Sequence, residues 1–282
     1  MTKSFFLILI LILFSKSVLA DHGESGHYTS GQTTTGGSDY TPNTGDTIIF
    51  SSNTADGAGI ENESGSTIGE LNNRATITID SNNKGNIKGI LNNGTISTGI
   101  TNSVGINVTT TGTVDQPEIV GVQEEIRSGN AYGIQNRKTL NFLSNFGDIT
   151  VTSSGKGTAR GIDNSFGGSI STITLNSSSS ITVVGAESSG GSLYGTYNAT
   201  GIYNHSDLTN QTIGTITNGS TITATRTGIQ NNAEAADATI TTLTNSGTIK
   251  TTGITSVTQS GSDFSAAIHN TGTSNGDALI TT

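Results

Sequence analysis

Three stretches of this 282-residue chain carry side chains whose types and spacing could do chemistry. Gly272-Thr273-Ser274-Asn275-Gly276 matches the G-x-S-x-G pattern, in which a serine nucleophile sits on a strand-to-helix turn with an acid and a histidine downstream. No helical segment follows it and no histidine lies between it and Thr282, and with 38 glycines a chance match is expected. Asp21, His22, Glu24 and His27 form a polar cluster that could hold a metal ion loosely, although ligand spacing without a framework is weak evidence. Glu124, Glu125 and Arg127 supply the carboxylates and cation that a polysaccharide lyase or hydrolase places on a groove. The charge-poor segments around them offer no second catalytic partner, and a solvated charged turn explains them as well. The expectation is therefore no catalytic residue, no metal and no cofactor.

What must position any function is set by composition. Met1 to Ala20 has Lys3 near its start, an apolar run from Phe5 to Phe14, and Val18-Leu19-Ala20 as a small-residue cleavage signal. This is the layout of a secretory signal peptide, and the apolar run is far shorter than the ~20 residues that span a bilayer. Without that signal the chain has ten basic residues against 21 acidic, a net of −11. Such a surface argues against nucleic acid as a partner, because phosphates demand Lys and Arg. The absence of Cys excludes a disulfide framework, thiol catalysis and thiolate metal sites. Only 31% of the residues are hydrophobic, too few for a thick two-layer core. Low hydrophobicity can mean disorder, but aliphatics at fixed spacing can stack into a narrow continuous core.

That spacing exists. The template I-x-x-[I/L]-x-N-x-x-x-I fits Ile68/Leu71/Asn73/Ile77, Ile87/Ile90/Asn92/Ile96, Leu140/Leu143/Asn145/Ile149, Ile213/Ile216/Asn218/Ile222 and Ile240/Leu243/Asn245/Ile249. A further copy starts at Ile170 and Ile173 and slips in register to Asn176 and Ile181, and Ile280 begins another. A second signature, Gly-Ile-x-Asn, occurs at Gly59, Gly99, Gly133, Gly161, Gly201 and Gly228, and again as Ala267-Ile268-His269-Asn270. Gly89-Ile90-Leu91-Asn92 also fits but overlaps the first template, and neither template fits well between about Ser103 and Arg127, which reads as a degenerate coil. Thr, Val and Ile favour strands, and Gly and Asn between the segments suit turns with positive φ. Three short strands per unit, repeated about eight times, describe an all-β, right-handed parallel β-helix. The chain then divides into a signal at 1–20, a polar leader or N-terminal cap at 21–47, and β-helix repeats from 48 to 282. A leucine-rich repeat is the competing fold, but the Asn is misplaced for it and no helical segment follows.

In this fold Asn136, Asn164, Asn204, Asn231, Asn270, Asn145, Asn218 and Asn245 either stack as amide ladders or cap their own turns independently. Insertions collect between the template's last Ile and the next Gly-Ile, at one corner of the coil. The two longest carry Tyr194 with Tyr197, and Asp263 with Phe264, which makes these four the candidate ligand contacts. Equally, loops grow wherever a rod tolerates them. The N-x-[S/T] sites follow from composition, no Ca²⁺-binding nonapeptides occur, and Thr-Ile-Thr triplets are too irregular to tile an ice lattice.

The signal peptide, the cysteine-free chain and the "GIxN…I.TL.NSGTI" coils together resemble the passenger domain of bacterial autotransporters and related surface β-helix, adhesin-like repeat proteins. The resemblance covers most of Ile48 to Thr282. It implies export through the inner membrane and display at the cell surface, with outer-membrane attachment only through a C-terminal barrel absent from this chain. It is strong for architecture and weak for activity. On this reading the chain is a truncated, monomeric stem with a structural or adhesive role. Its partners would be host or neighbouring-cell surface glycans or proteins, with no nucleic acid. The alternative is a carbohydrate-active β-helix enzyme.

Overall fold

The computed structural model describes residues 28–29, 47–52, 57–81, 85–111, 113–114, 126–127, 129–154, 157–185, 199–252, 266–273 and 276–280. Tyr194, Tyr197, Asp263, Phe264, Glu124, Glu125 and the leader cluster of Asp21, His22, Glu24 and His27 lie outside the described residues.

The chain is a parallel β-helix. Its strands form three sheets, and within each sheet every strand pairs in parallel with its counterpart one coil away. Sheet I contains Tyr28–Thr29, Gly57–Asn62, Ile87–Asn92, Ala131–Asn136, Ala159–Asn164, Ala199–Ser206, Thr227–Ala233 and Ala266–Gly272. Sheet II contains Thr67–Asn73, Thr95–Asn102, Thr139–Asn145, Ser169–Leu175, Gln211–Asn218, Ala238–Asn245 and Ala278–Ile280. Sheet III contains Thr47–Ser52, Thr76–Ser81, Ile106–Thr110, Ile149–Ser153, Ser180–Gly185, Thr221–Ala224 and Thr248–Thr251. At ~4.8 Å per coil the eight strands of sheet I make a shaft roughly 35 Å long.

The core consists of columns. Ile60, Ile90, Ile134, Ile162, Ile202 and Ile229 stack in register in sheet I and are fully buried. Ile68, Ile96, Leu140, Ile170, Ile213 and Ile240 do so in sheet II, and Ile77, Ile106, Ile149, Ile181 and Ile222 in sheet III. Burying each such side chain is worth about 1.5–3 kcal/mol, so each coil contributes a handful of well-buried aliphatics to a core that no coil could close alone.

Two polar columns run beside the aliphatic ones. Asn62, Asn92, Asn136, Asn164, Asn204, Asn231 and Asn270 form one chain of amides, each Nδ2 donating to the next Oδ1 at 2.7–2.9 Å. Their amides also donate to turn carbonyls, as Asn136 does to Lys138 O at 2.7 Å and Asn231 to Ala238 O at 2.8 Å. Ladder and turn cap are thus one device. In sheet II, Asn73, Asn102 and Asn145 are linked at 2.7 Å, and Asn218 donates to Asn245 at 2.7 Å. Between these runs the column position belongs to Leu175, paired with Asn145 below and Asn218 above. Asn176, one residue on, is in a turn and accepts from Ser179 N at 3.0 Å.

The structure corrects the assignment of one coil. Ile87–Asn92 lies in sheet I, so Gly89-Ile90-Leu91-Asn92 is the true Gly-Ile-x-Asn strand. Gly99-Ile100-Thr101-Asn102 lies in sheet II instead, where Ile100 pairs with Leu71 and Leu143. The register shifts between Ile96 and Ile100, where one extra residue is accommodated, and this irregularity disguised the strand. Ile106–Thr110 is a regular strand of sheet III, so the degenerate stretch begins only after it.

The glycines of Gly-Ile-x-Asn are not turn residues. A Cβ on Gly133, Gly161 or Gly201 would lie 2.5–2.6 Å from the carbonyl oxygen of the matching glycine one coil above. The coils approach too closely there for any side chain. Among the described residues, positive φ occurs at Gly65, Gly167 and Phe166, all in turns between sheets I and II.

Candidate functional site

The connections from sheet III back to sheet I are uneven. Residues 82–86, 154–158 and 225–226 join the two sheets directly, whereas 111–130, 186–198 and 252–265 are long excursions. The first connection, 53–56, is also short, and from 82–86 onward short and long connections alternate. From residue 82 onward the long connections therefore fall at every second coil, all of them at the corner between a strand of sheet III and the next strand of sheet I. At the root of the first excursion, Thr113–Val114 pairs antiparallel with Ile126–Arg127, and this places Arg127 on the excursion rather than in a coil.

Sheet I, which starts at that corner, carries the most concentrated polar and aromatic chemistry among the described residues, on the face turned away from the core. In Ala131–Asn136 the residues Ala131, Ile134 and Asn136 face inward, which turns Tyr132 and Gln135 outward. The same two outward positions in the next coil are Arg160 and Asp163, and the second of them in the following coil is Tyr203. Stacking brings these residues together. Arg160 Nη1 lies 2.6 Å from Asp163 Oδ1. Asp163 Oδ2 accepts from Gln135 Nε2 and from Ser165 Oγ, both at 2.7 Å. The Arg160 guanidinium sits 3.7 Å from the centroid of the Tyr203 ring and 5.9 Å from that of Tyr132, held between aromatics of the coils above and below.

These groups are buried although they point outward: Asp163 is 0% exposed and the Arg160 side chain 12%. Burial pushes the Tyr132 phenol up to about 12, and the Asp163 carboxylate adds to the effect. Burial likewise raises Tyr203. For Arg160 burial opposes the charge, but Asp163 and the two phenols outweigh it and the guanidinium's pKa is raised. Both Asp163 oxygens are committed to donors, so this carboxylate is a fixed anchor and not a free acid or base.

A second cluster continues from Tyr203. Its ring lies 5.1 Å from that of His205, centroid to centroid, and its hydroxyl accepts from Asn232 Nδ2 at 3.2 Å. His205 Nε2 is 3.1 Å from Asp207 Oδ1 and 3.3 Å from Glu234 Oε1. The ligand atoms of these three residues lie within 4.8 Å of one another, the one group among the described residues in which three such side chains could hold a metal ion.

None of these residues stands out in the linear sequence, where Tyr132, the Arg160/Asp163 pair, Tyr203 and Glu234 are tens of residues apart. A signal was available: the x of Gly-Ile-x-Asn reads Glu61, Leu91, Gln135, Asp163, Tyr203, Gln230 and His269 down the stack. Reading that column as a surface would have assembled the patch. Of the G-x-S-x-G match, Ser274 and Asn275 lie outside the described residues. Gly272 ends a strand, and Thr273 and Gly276 bridge antiparallel in the connection towards sheet II. No family model, no curated protein and no solved structure matches this chain.

Proposed function

We propose that this chain is the exported, surface-displayed stem of an autotransporter-like protein, with a structural or adhesive role. The observation that carries the reading is that from Thr47 onward every long connection in the sequence joins a strand of sheet III to the next strand of sheet I, so the insertions fall at one corner of the coil. Among the described residues the interior of the shaft is filled by aliphatic and Asn columns, so recognition falls to what it displays. The excursions hold Tyr194, Tyr197, Asp263 and Phe264, aromatic and polar groups of the kind that meet glycan or protein surfaces. Their roots border the polar face of sheet I. Export would follow from the Met1–Ala20 signal, and an acidic surface suits a glycan or protein partner better than a nucleic acid.

The test is binding of the exported chain to a panel of cell-surface glycans and proteins. In parallel, residues 186–198 are replaced by a direct connection such as Thr225-Arg226. Binding that disappears while circular dichroism stays unchanged supports display. Binding that survives removal of both the 186–198 and the 252–265 excursions overturns it. Release of oligosaccharide from the same panel would favour the carbohydrate-active enzyme. Asp207 and Glu234 would be candidate carboxylates for that enzyme, and both lean on His205.

A further inference from the structure

We infer that His205, Asp207 and Glu234 form a binding site for a divalent transition-metal ion of the Zn²⁺ class, clamping two successive coils of the shaft. His205 belongs to the strand Ala199–Ser206, and Asp207 follows it directly. Glu234 follows Thr227–Ala233, the neighbouring strand of sheet I, in which Asn232 pairs with His205. The ligands thus come from two coils, at the corner where sheet I turns towards sheet II.

The spacing is that of a coordination shell. Ligand atoms at 2.0–2.2 Å from one ion are separated by about 3.0 Å across an octahedral edge and about 3.4 Å across a tetrahedral one. The two separations from His205 Nε2, 3.1 Å and 3.3 Å, fall between these values, and the three ligand atoms lie within 4.8 Å of one another, so rotation of the two partly exposed carboxylate side chains would close the shell. His205 Nε2 is fully buried, yet neither carboxylate oxygen meets it in hydrogen-bonding geometry. The nitrogen lies close to two oxygens and bonds to neither, which leaves it available to an ion shared by all three.

The surroundings fit the same reading. The His205 ring is set by its contact with Tyr203, and Glu234 Oε1 accepts from Asn232 Nδ2 at 3.4 Å. Glu234 N donates to Ser206 O at 3.1 Å, which fixes the backbone that carries the carboxylate. The Asp207 and Glu234 side chains are 41% and 57% exposed, leaving a route for entry and positions for water. Imidazole favours Zn²⁺ and its transition-metal neighbours over Ca²⁺ and Mg²⁺, which prefer all-oxygen shells. In a solenoid without disulfides, an ion held between coils strengthens the nearest-neighbour coupling on which the whole rod depends.

The experiment is calorimetric titration of the full chain with ZnCl₂, with MgCl₂ and CaCl₂ as comparison arms, on wild type, His205→Ala, Glu234→Gln and a His22→Ala/His27→Ala double variant. The expected result is one Zn²⁺ per chain, retained in the double variant, with a thermal midpoint that rises with Zn²⁺. Glu234→Gln alters an exposed side chain without threatening the fold, and should weaken binding by at least the roughly 10- to 100-fold that loss of a mere supporting partner costs. His205→Ala should abolish the midpoint shift. Equal Zn²⁺ binding by wild type and Glu234→Gln would overturn the assignment. So would binding lost in the His22→Ala/His27→Ala variant but kept in His205→Ala, or affinity for Ca²⁺ or Mg²⁺ matching that for Zn²⁺.

Discussion

Replacing Asn164 by Leu tests whether the amide column holds the shaft or merely lines it. Asn164 is fully buried and accepts from Asn136 Nδ2 at 2.9 Å. Its own amide donates to Asn204 Oδ1 at 2.8 Å, Gly168 O at 3.1 Å and Thr212 O at 3.2 Å. Asn136 keeps its bond to Lys138 O, but Asn204 Oδ1 has no other side-chain donor among the described residues and is left bare in the core. Each buried acceptor deprived of its donor costs about 1–3 kcal/mol, and the added apolar burial returns about 1.5–3 kcal/mol. With Asn204 Oδ1 and Gly168 O both affected, the cost is about 2–6 kcal/mol, so the net loss is about 2 kcal/mol at mid-range and about 4.5 kcal/mol at most. Urea unfolding followed by circular dichroism measures it. Leu175 makes the comparison demanding, because sheet II already carries a leucine in its column. There Asn145 donates to Gly147 O at 2.7 Å, and Asn218 Oδ1 accepts from Ser220 N and Oγ at 3.1 Å and 2.9 Å, so the break is covered locally. Asn164→Leu matching wild type in stability would show that the column is as dispensable in sheet I as at Leu175, and would refute the reasoning.

Gly161→Ala should destabilise by about 3 kcal/mol in the same assay, because the new Cβ would meet Gly201 O at 2.6 Å and this carbonyl belongs to the next coil's ladder. Gly65→Ala should cost only about 1–2 kcal/mol, since nothing lies near its Cβ and the penalty is its φ of +82° alone; equal losses at the two sites would undo the close-approach account. The buried phenol of Tyr132 predicts alkaline sensitivity. Its folded pKa of about 12 stands above the usual value of about 10, so between these pH values the unfolded chain releases a proton that the native chain keeps. Stability is unaffected below about pH 10 and falls as pH rises from about 10 to about 12, by about 2.7 kcal/mol for the two-unit difference. Tyr132→Phe should remove that part of the slope in urea midpoints measured across this range, and an unchanged slope would contradict the burial of the phenol.

The sheet II rows around Leu140/Leu143 and Ile213/Ile216 were legible because each aliphatic recurs at a fixed offset from an Asn, and periodic order of that kind survives in one dimension. The coil around Gly89 and Gly99 was misread for a local reason. A single extra residue between Ile96 and Ile100 makes a sheet II strand imitate the sheet I signature, and only pairing with Leu71 and Leu143 distinguishes them. The glycine of Gly-Ile-x-Asn was visible but its cause was not, because the carbonyl that excludes a side chain belongs to a residue up to about one coil further along the chain.

By itself the sequence determined the three-strand coil, the aliphatic columns and the corner from which insertions leave, because all of these are set by spacing within one repeat. The tertiary structure alone decided what the coils bring together between repeats. Arg160 meets Tyr132 and Tyr203, Gln135 meets Asp163, and His205 meets Glu234 only once neighbouring coils stack in register. A solenoid converts sequence distances of 27 to 44 residues between Asn partners into neighbours along its axis. Its chemistry is therefore written down the columns, at right angles to the order in which the chain is read.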